Sequence, residues 1–376
     1  MPADGSFHKL VHATRKSDML MVVFSHAADR PPRFSLYESA LASGANVLFL
    51  NDELSGWYTR GVPSIGPTHR DVVSAIEHMA KICGATRIAC VGASMGGYGA
   101  IRYAKSLGAQ SCLATDFEVR LGIRGSRSSL MGSISYGGYM TDVASMIPKG
   151  AMLLHSKSDI FDMLSASLVP ATSGARVVGV SSQKHGSIIK MNSDGLLAPA
   201  LKCIVNNEPI SVPYESSLWM QNDYYSGLFF HMHSLYEAGA FAELCDYVGS
   251  LDSEQKEIPI VSFTHAMATY KTGDVRGAKD IMAFTNKVSG DWTEPLAMLG
   301  VFSFRMGELA LAAEYLEQSV SKGGVNSMVW SQLGEVYEKI GNFSKALSAY
   351  NRASEINPNS PVYKKSVARV TSLIGS

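Results

Sequence analysis

Four glycines in the second half of the chain recur at a fixed interval of 34 residues. They are Gly239, Gly273, Gly307 and Gly341, and an apolar residue follows each of them two positions later. A period of this length is typical of repeat arrays, in which each unit buries its apolar face against the next. The period therefore predicts an all-α solenoid for this part of the chain.

The last copy, 327–360, carries the fullest set of apolar and small residues. It contains Trp330, Leu333, Gly334, Tyr337, Ala346, Tyr350, Ala353 and Pro358. This pattern resembles the tetratricopeptide repeat (TPR). Small residues at the glycine and alanine positions should allow the two helices of a repeat to cross closely. The copies at 293–326, 259–292 and 225–258 match the pattern progressively less well.

The sequence around the repeats predicts where the domains begin and end. Prolines and paired serines mark a linker at 207–222. We therefore expect one domain over 1–206 and the array over 223–376. Its last segment, 361–373, reads as a closing helix with basic residues facing outward.

The first half alternates short apolar runs with helical patterns. Such runs, bounded by polar residues or glycine, are typical of strands buried on both faces. Alternation with helices predicts a parallel sheet covered by helices on both faces, with the carboxyl ends of its strands along one edge. The six runs are 19–24, 46–50, 88–91, 112–114, 151–154 and 177–180.

The stretch CVGASMGGYGAIRYA, residues 90–104, holds a Gly-x-Ser-x-Gly motif centred on Ser94. A strand precedes the motif and a helical pattern follows it, which is the context that a nucleophilic serine requires. A serine hydroxyl is a weak nucleophile at neutral pH unless a base lies within hydrogen-bonding reach. Ser94 is therefore a candidate nucleophile, and a purely structural glycine-rich turn is the alternative.

Two further strand ends supply a candidate acid and a candidate base. Asp159 follows the run at 151–154, and His185 follows the run at 177–180. An imidazole can take up the serine proton and return it, and a carboxylate can orient the imidazole. Asp116 and Asp162 remain rivals of Asp159 for the acid.

With this order of serine, aspartate and histidine, residues 1–206 resemble an α/β-hydrolase domain in a compact form. The resemblance implies that Ser94 is the nucleophile, Asp159 the acid and His185 the base. It also implies an oxyanion hole formed by the backbone N–H of Met95. The second donor would come from His26 or Ala27, in the loop after the 19–24 run.

An insertion between Asp116 and Met146 departs from the strand and helix alternation. The resemblance to α/β-hydrolases implies that a segment at this place would overhang the site as a lid. Arg120, Arg124 and Arg127 are spaced so that they share one face if helical, and they are candidates for binding an anionic substrate group. A solvated basic loop is the alternative for these arginines. Tyr136 and Tyr139 are candidates for an apolar wall, and packing within the protein is their alternative.

Charge and cysteine content limit the classes of function. The chain has zero formal net charge, so composition indicates no nucleic-acid role, although residues 1–206 carry +6 and residues 207–376 carry −6. The opposite signs suggest two domains with different partners, or two domains that are each other's partners. Five scattered cysteines and the absence of a signal peptide or an apolar run of membrane-spanning length predict a cytoplasmic protein with no membrane span. No metal site and no cofactor are expected.

Two classes of function follow. The first is a serine hydrolase that acts on an acyl ester of a sugar or small molecule through an acyl-enzyme, while the array mediates contact with a protein partner or dimerisation. An acyltransferase would use the same intermediate. The second is a TPR interaction protein whose hydrolase-like half is an inactive platform.

Overall fold

The computed structural model describes residues 7–52, 55–131, 141–181, 184–322 and 326–374. The chain forms two compact units, Met1–Glu237 and Ala238–Ser376. The division falls near the end of a helix, Asp223–Ala238, and so lies beyond the predicted linker at 207–222. This helix therefore belongs almost wholly to the first unit.

The first unit contains an eight-stranded mixed sheet. Its strand order is β1-β3-β2-β4-β5-β6-β7-β8; β2 to β7 pair in parallel, and the two edge strands β1 and β8 are antiparallel. The six parallel strands coincide with the six predicted runs to within two residues at either end. The strands are His8–Val11 (β1), Met19–Phe24 (β2), Asn46–Leu50 (β3), Arg87–Ala93 (β4), Ser111–Thr115 (β5), Met152–Ser156 (β6), Arg176–Val180 (β7) and Glu215–Ser216 (β8).

Eight helices accompany the sheet in the described part of this unit. They are Tyr37–Leu41 (α1), His69–Ile82 (α2), Met95–Ala104 (α3), Arg127–Leu130 (α4), Ile160–Ser167 (α5), Ser187–Ser193 (α6), Leu197–Asn206 (α7) and Asp223–Ala238 (α8), together with short 3-10 turns at Ala144–Met146, Ala171–Ser173 and Leu218–Met220.

Both faces of the central strands are covered by helices, which explains their uninterrupted apolar sequences. Successive side chains of a strand point to opposite faces. Val23 belongs to a core cluster with Met191 of α6 and Leu201 of α7, whereas Phe24 stacks on Tyr103 of α3 on the other face. All strand residues of β2 and β3 are buried.

The second unit is a helical array. Helices from α11 to α17 each contact the next along the chain, as expected for a solenoid. The helices are Phe241–Ser250 (α9), Ser253–Lys256 (α10), Pro259–Lys271 (α11), Val275–Val288 (α12), Glu294–Arg305 (α13), Leu309–Ser321 (α14), Ser327–Ile340 (α15), Phe343–Ile356 (α16) and Pro361–Ile374 (α17).

Each of the last three predicted repeats corresponds to one helix pair, α11 with α12, α13 with α14, and α15 with α16. Helix α17 occupies the predicted closing segment, and its Val370 is buried against α15 and α16. The first predicted repeat, 225–258, is divided, because α8 lies in the first unit and α9 in the second.

The periodic glycines have a different physical role from the one that the sequence suggested. All four have positive φ, from +71° at Gly239 to +99° at Gly273, and an added Cβ would meet no atom within 4 Å. They are thus needed for the left-handed turn between helices, and not for close helix crossing. Close crossing is instead provided by other small residues, such as Gly334, whose added Cβ would lie 2.8 Å from the Tyr350 ring.

No helix in the described ranges combines the length and the apolar character needed to cross a bilayer.

The close approach of β2 to α3 yields a test of packing. A Cβ added to Gly96 would lie 2.0 Å from the backbone oxygen of Phe24. Gly96→Ala should therefore lower the free energy of unfolding by about 1–3 kcal/mol, measured by urea unfolding of the full chain. The control is Gly227→Ala on the exposed face of α8, where an added Cβ meets nothing and stability should rise by about 0.5–1 kcal/mol. Equal effects of the two changes would contradict this packing.

Candidate active site

Ser94 lies in a strained turn between β4 and α3. Its backbone has φ 55° and ψ −122°, and its N–H donates to the Thr115 carbonyl at 2.8 Å. Non-glycine residues rarely adopt positive φ, because this backbone conformation is strained. Residues with such strained backbones cluster at functional sites. Asp116 at the end of β5 and Lys184 after β7 also have positive φ. Three strained residues thus follow three parallel strands at the same edge of the sheet.

His185 joins the serine to a buried carboxylate. Its Nε2 lies 2.8 Å from Ser94 Oγ, and its Nδ1 lies 2.7 Å from Asp162 Oδ1. Both distances are those of good hydrogen bonds. The Asp162 side chain is 1% exposed and that of His185 is 12% exposed. The side chains of Ser94, His185 and Asp162 therefore form a continuous chain of hydrogen bonds that links the turn after β4, the segment after β7 and helix α5.

The structure places Asp162, and not the predicted Asp159, against His185. Asp159 is the N-cap of α5, where its Oδ1 accepts from the N–H groups of Phe161 and Asp162. Its Oδ2 faces the guanidinium of Arg127 at 3.3 Å. The carboxylate closest to the strand is thus used to begin the helix, and the acid that reaches the imidazole comes one turn later. A sequence signal for this exists, since an aspartate directly before an apolar helical run is a typical N-cap.

The three predicted oxyanion donors differ in whether their backbone N–H groups are available to a ligand. Met95 is the first residue of α3, where N–H groups have no carbonyl one turn earlier to bond. The N–H of His26 donates to Ser35 Oγ at 2.9 Å, so His26 is not free to serve as the second donor. The N–H of Ala27 has no hydrogen-bond partner among the described residues. Ala27 therefore remains the candidate for this position.

Of the three predicted arginines, only Arg127 is brought to the serine site. Arg120 pairs with Asp142 at 2.9 Å. Arg124 is exposed, and its backbone carbonyl accepts from His233 of α8. Arg127, on α4, pairs with Asp159. Burial holds the pKa of Asp162 well above its ordinary value, Asp159 raises it further, and the Arg127 guanidinium opposes this shift. The predicted wall residues Tyr136 and Tyr139 lie outside the described residues.

Two buried carboxylates that are not part of the hydrogen-bonded chain of Ser94, His185 and Asp162 lie close to the histidine. Asp116 accepts from the N–H groups of Ser187 and Ile188, and Glu118 accepts from the N–H and Oγ of Ser128. Burial raises the pKa of each to about 7. Asp116 is a rival acid by its place at a strand end, whereas Glu118 has no sequence motif to mark it.

Burial also favours the neutral form of the histidine. It lowers the pKa of His185, while the nearby Asp116 carboxylate raises it. A neutral imidazole is the form that can accept a proton from serine. Polar atoms of Asp116, Asp162 and His185 lie within 4.8 Å of one another, a grouping that is also compatible with a divalent cation. However, both ring nitrogens of His185 already bond to Ser94 and Asp162, so the arrangement is that of a proton relay.

Comparison with known proteins identifies one repeat of the helical unit. Residues 327–360 match the family model of the tetratricopeptide repeat. This match covers the last predicted repeat and supports protein–protein contact as the role of the array. No curated protein matches the chain.

Several solved structures are similar to about two fifths of this chain. MamA MSR-1 is 21% identical with a TM-score of 0.35, and the match covers 39% of this chain and 84% of that one. MamA from Desulfovibrio magneticus RS-1 is 17% identical with a TM-score of 0.36, covering 38% and 81%. The first TPR of Spaghetti (RPAP3), solved with the HSP90 peptide SRMEEVD, is 17% identical with a TM-score of 0.31, covering 34% and 98%. All three TM-scores are below 0.5.

The buried carboxyl of Glu118 gives a prediction about pH. Because its pKa rises from 4.5 to about 7 on folding, the folded chain binds this proton more tightly than the unfolded chain. Its contribution to stability is therefore lost as pH rises from about 4.5 to about 7. Glu118→Gln removes this loss, so its free energy of unfolding relative to the wild type should increase by about 2–3 kcal/mol between pH 5 and pH 8.

Urea unfolding of the full chain at the two pH values measures this difference. Glu77→Gln, which removes an exposed carboxylate from α2, is the matched control. A difference between the Glu118 variant and the wild type that is the same at pH 5 and pH 8 would contradict the assignment.

Proposed function

We propose that the first unit is a serine hydrolase that acts on an acyl ester. The observation that carries this proposal is the hydrogen-bonded chain from Ser94 Oγ through His185 to the buried Asp162. A plain glycine-rich turn would not need a base on one side of the hydroxyl and a carboxylate behind that base. The proposal rests on the geometry of the site alone.

In the proposed catalytic cycle, His185 accepts a proton and then donates it, first during acylation of the serine and again during deacylation. Ser94 Oγ attacks the ester carbonyl while its proton passes to His185 Nε2, and Asp162 stabilises the imidazolium that forms. The tetrahedral oxyanion accepts from the N–H groups of Met95 and Ala27. The carbon–oxygen bond to the alcohol then breaks, and His185 returns its proton to the leaving alcohol. Water then attacks the acyl carbonyl while His185 Nε2 takes up its proton. The bond between the acyl carbon and Ser94 Oγ breaks, the acid is released, and His185 returns the proton to Ser94.

An α/β-hydrolase type of fold is part of this proposal. It is supported by the parallel core of the sheet, the strained serine between β4 and α3, and the order of the serine, aspartate and histidine along the chain. An alcohol in place of water would make the same site an acyltransferase, because both acceptors attack the same acyl-enzyme.

A second candidate function is that of an interaction protein, and the tetratricopeptide match favours it. In that case the helical unit binds a partner protein or a second copy of the chain, and the sheet unit serves as a platform. Several large apolar side chains on α15 and α17 are exposed, which suits protein contact. They are Met328, Ile340, Val362, Leu373 and Ile374. The two functions are compatible within one chain.

Labelling with a fluorophosphonate probe tests the hydrolase proposal. The wild type should form a covalent adduct at Ser94, and Ser94→Ala should abolish it. Loss of the base or the acid should slow labelling by about 10²–10⁴-fold in His185→Ala and Asp162→Asn. The second-order rate constant for labelling, followed by gel fluorescence, measures each effect.

Asp159→Asn is the matched control, because it removes a carboxylate from the same turn without touching His185. We expect it to slow labelling by less than about 10-fold, since an asparagine can still cap α5. Failure of the folded wild type to label would refute the hydrolase and leave the interaction role. Equal loss in the Asp159 and Asp162 variants would contradict the assignment of Asp162 as the acid.

A further inference from the structure

The Asp116 side chain connects the end of β5 to the segment that bears the histidine. It is 2% exposed and lies outside the hydrogen-bonded triad. Its Oδ2 accepts from the N–H of Ser187 at 2.9 Å and from that of Ile188 at 3.4 Å, and its Oδ1 accepts from Ser187 at 3.1 Å. Ser187 begins α6, two residues after His185. The carboxylate therefore holds the backbone immediately after the histidine from an element 71 residues earlier in the chain.

The backbone around Asp116 is held just as firmly. Its N–H donates to the Leu154 carbonyl of β6 at 2.8 Å, and the carbonyl of the preceding residue, Thr115, accepts from Ser94 N–H at 2.8 Å. The residue itself has a φ of 49°, a conformation that an aspartate adopts only at a cost. Thr115 and Asp116 together thus tie the serine turn, the strand before the acid and the segment after the histidine.

Charged groups from several elements surround His185. They are Asp162 on α5, Asp159 before α5, Glu118 after β5, Arg127 on α4, and Asp116 itself. Among these, Asp162 and Asp116 each have an oxygen within 4.8 Å of a ring nitrogen of His185. Asp162 bonds the ring directly, whereas the hydrogen bonds of Asp116 go to the backbone of the histidine segment. The two carboxylates therefore act on the same imidazole by different routes.

We propose that Asp116 is a positioning residue that holds the His185 segment so that the imidazole stays aligned with Ser94. Its catalytic consequence rests on the proposed hydrolase function. The alignment itself is a property of the folded chain and can be measured without turnover. Asp116 makes no contact with the serine hydroxyl in this account and acts only through the histidine.

Two substitutions separate the hydrogen bonds of Asp116 from its charge. Asp116→Ala removes both, and Asp116→Asn keeps one oxygen that can accept from Ser187 while removing the charge. We expect fluorophosphonate labelling at pH 8 to slow by about 100-fold in the alanine variant and by less than about 10-fold in the asparagine variant. Asp194→Asn, at the far end of α6, removes a carboxylate without contact to Ser187 and should label like the wild type.

Rescue by asparagine distinguishes this role from general loss of structure. Asparagine keeps an oxygen that can accept from the Ser187 N–H, so labelling should recover in Asp116→Asn while both variants stay folded by circular dichroism. Wild-type labelling rates in both Asp116 variants, or equal slowing in the two, would overturn the proposal.

A second readout keeps the positioning claim testable if the wild type does not label. The His185 Nδ1 proton, hydrogen-bonded to Asp162, should give a distinct far-downfield NMR signal that is absent from His185→Ala. This signal should persist in Asp116→Asn and broaden or vanish in Asp116→Ala. Absence of labelling with this pattern intact would refute the hydrolase but support the positioning role. An unchanged signal in Asp116→Ala would refute the positioning role, whatever the activity.

Discussion

The parallel register of β2 to β7 is the constraint on which the site depends. Because both faces of these strands are buried, their backbone polar groups must pair within the sheet, and their carboxyl ends emerge along one edge. The serine, the acid and the histidine follow β4, β6 and β7, and Asp116 follows β5. Residues as far apart in sequence as Ser94 and His185 therefore approach to 2.8 Å without a local motif to join them.

Burial then sets the chemistry of this edge. Taking carboxylates out of water raises the pKa values of Asp116 and Glu118 to about 7, and it lowers the pKa of His185. Arg127 is the cation that faces this group of carboxylates, and it is paired with Asp159. A neutral imidazole between a hydroxyl and a buried carboxylate is the state that favours general-base chemistry. The strained and desolvated residues lie at this same edge of the sheet, and such unfavourable conformations are typical of functional sites.

Much of this arrangement could be predicted from residue patterns, and the exceptions have physical reasons. Strand positions followed from continuous apolar runs, and Ser94 and His185 from their places at strand ends. Asp159 was the wrong choice of neighbour for His185 because a carboxylate at the start of a helix is drawn to the free N–H groups of its first turn. His26 was an oxyanion candidate by position, but the Ser35 hydroxyl, nine residues later, takes its N–H.

Other features left weaker signals in the sequence. The edge strands β1 and β8 have four and two residues, too short for a recognisable pattern. Glu118 belongs to an irregular segment, and only the fold reveals that Ser128 bonds to it. In the array, the 34-residue period predicted the last three helix pairs. The same period could not reveal that α8 belongs to the sheet unit, because the apolar residues of α8 suit packing in either the sheet unit or the array.

The most direct test of the central claim is detection of the acyl-enzyme itself. Rapid mixing of the full chain with p-nitrophenyl acetate should release a burst of about one equivalent of p-nitrophenol per chain, followed by slower turnover. Mass spectrometry of the quenched protein should then find the acetyl group on Ser94. Release without a burst, at the same rate in Ser94→Ala and with no acetyl group on Ser94, would contradict the account.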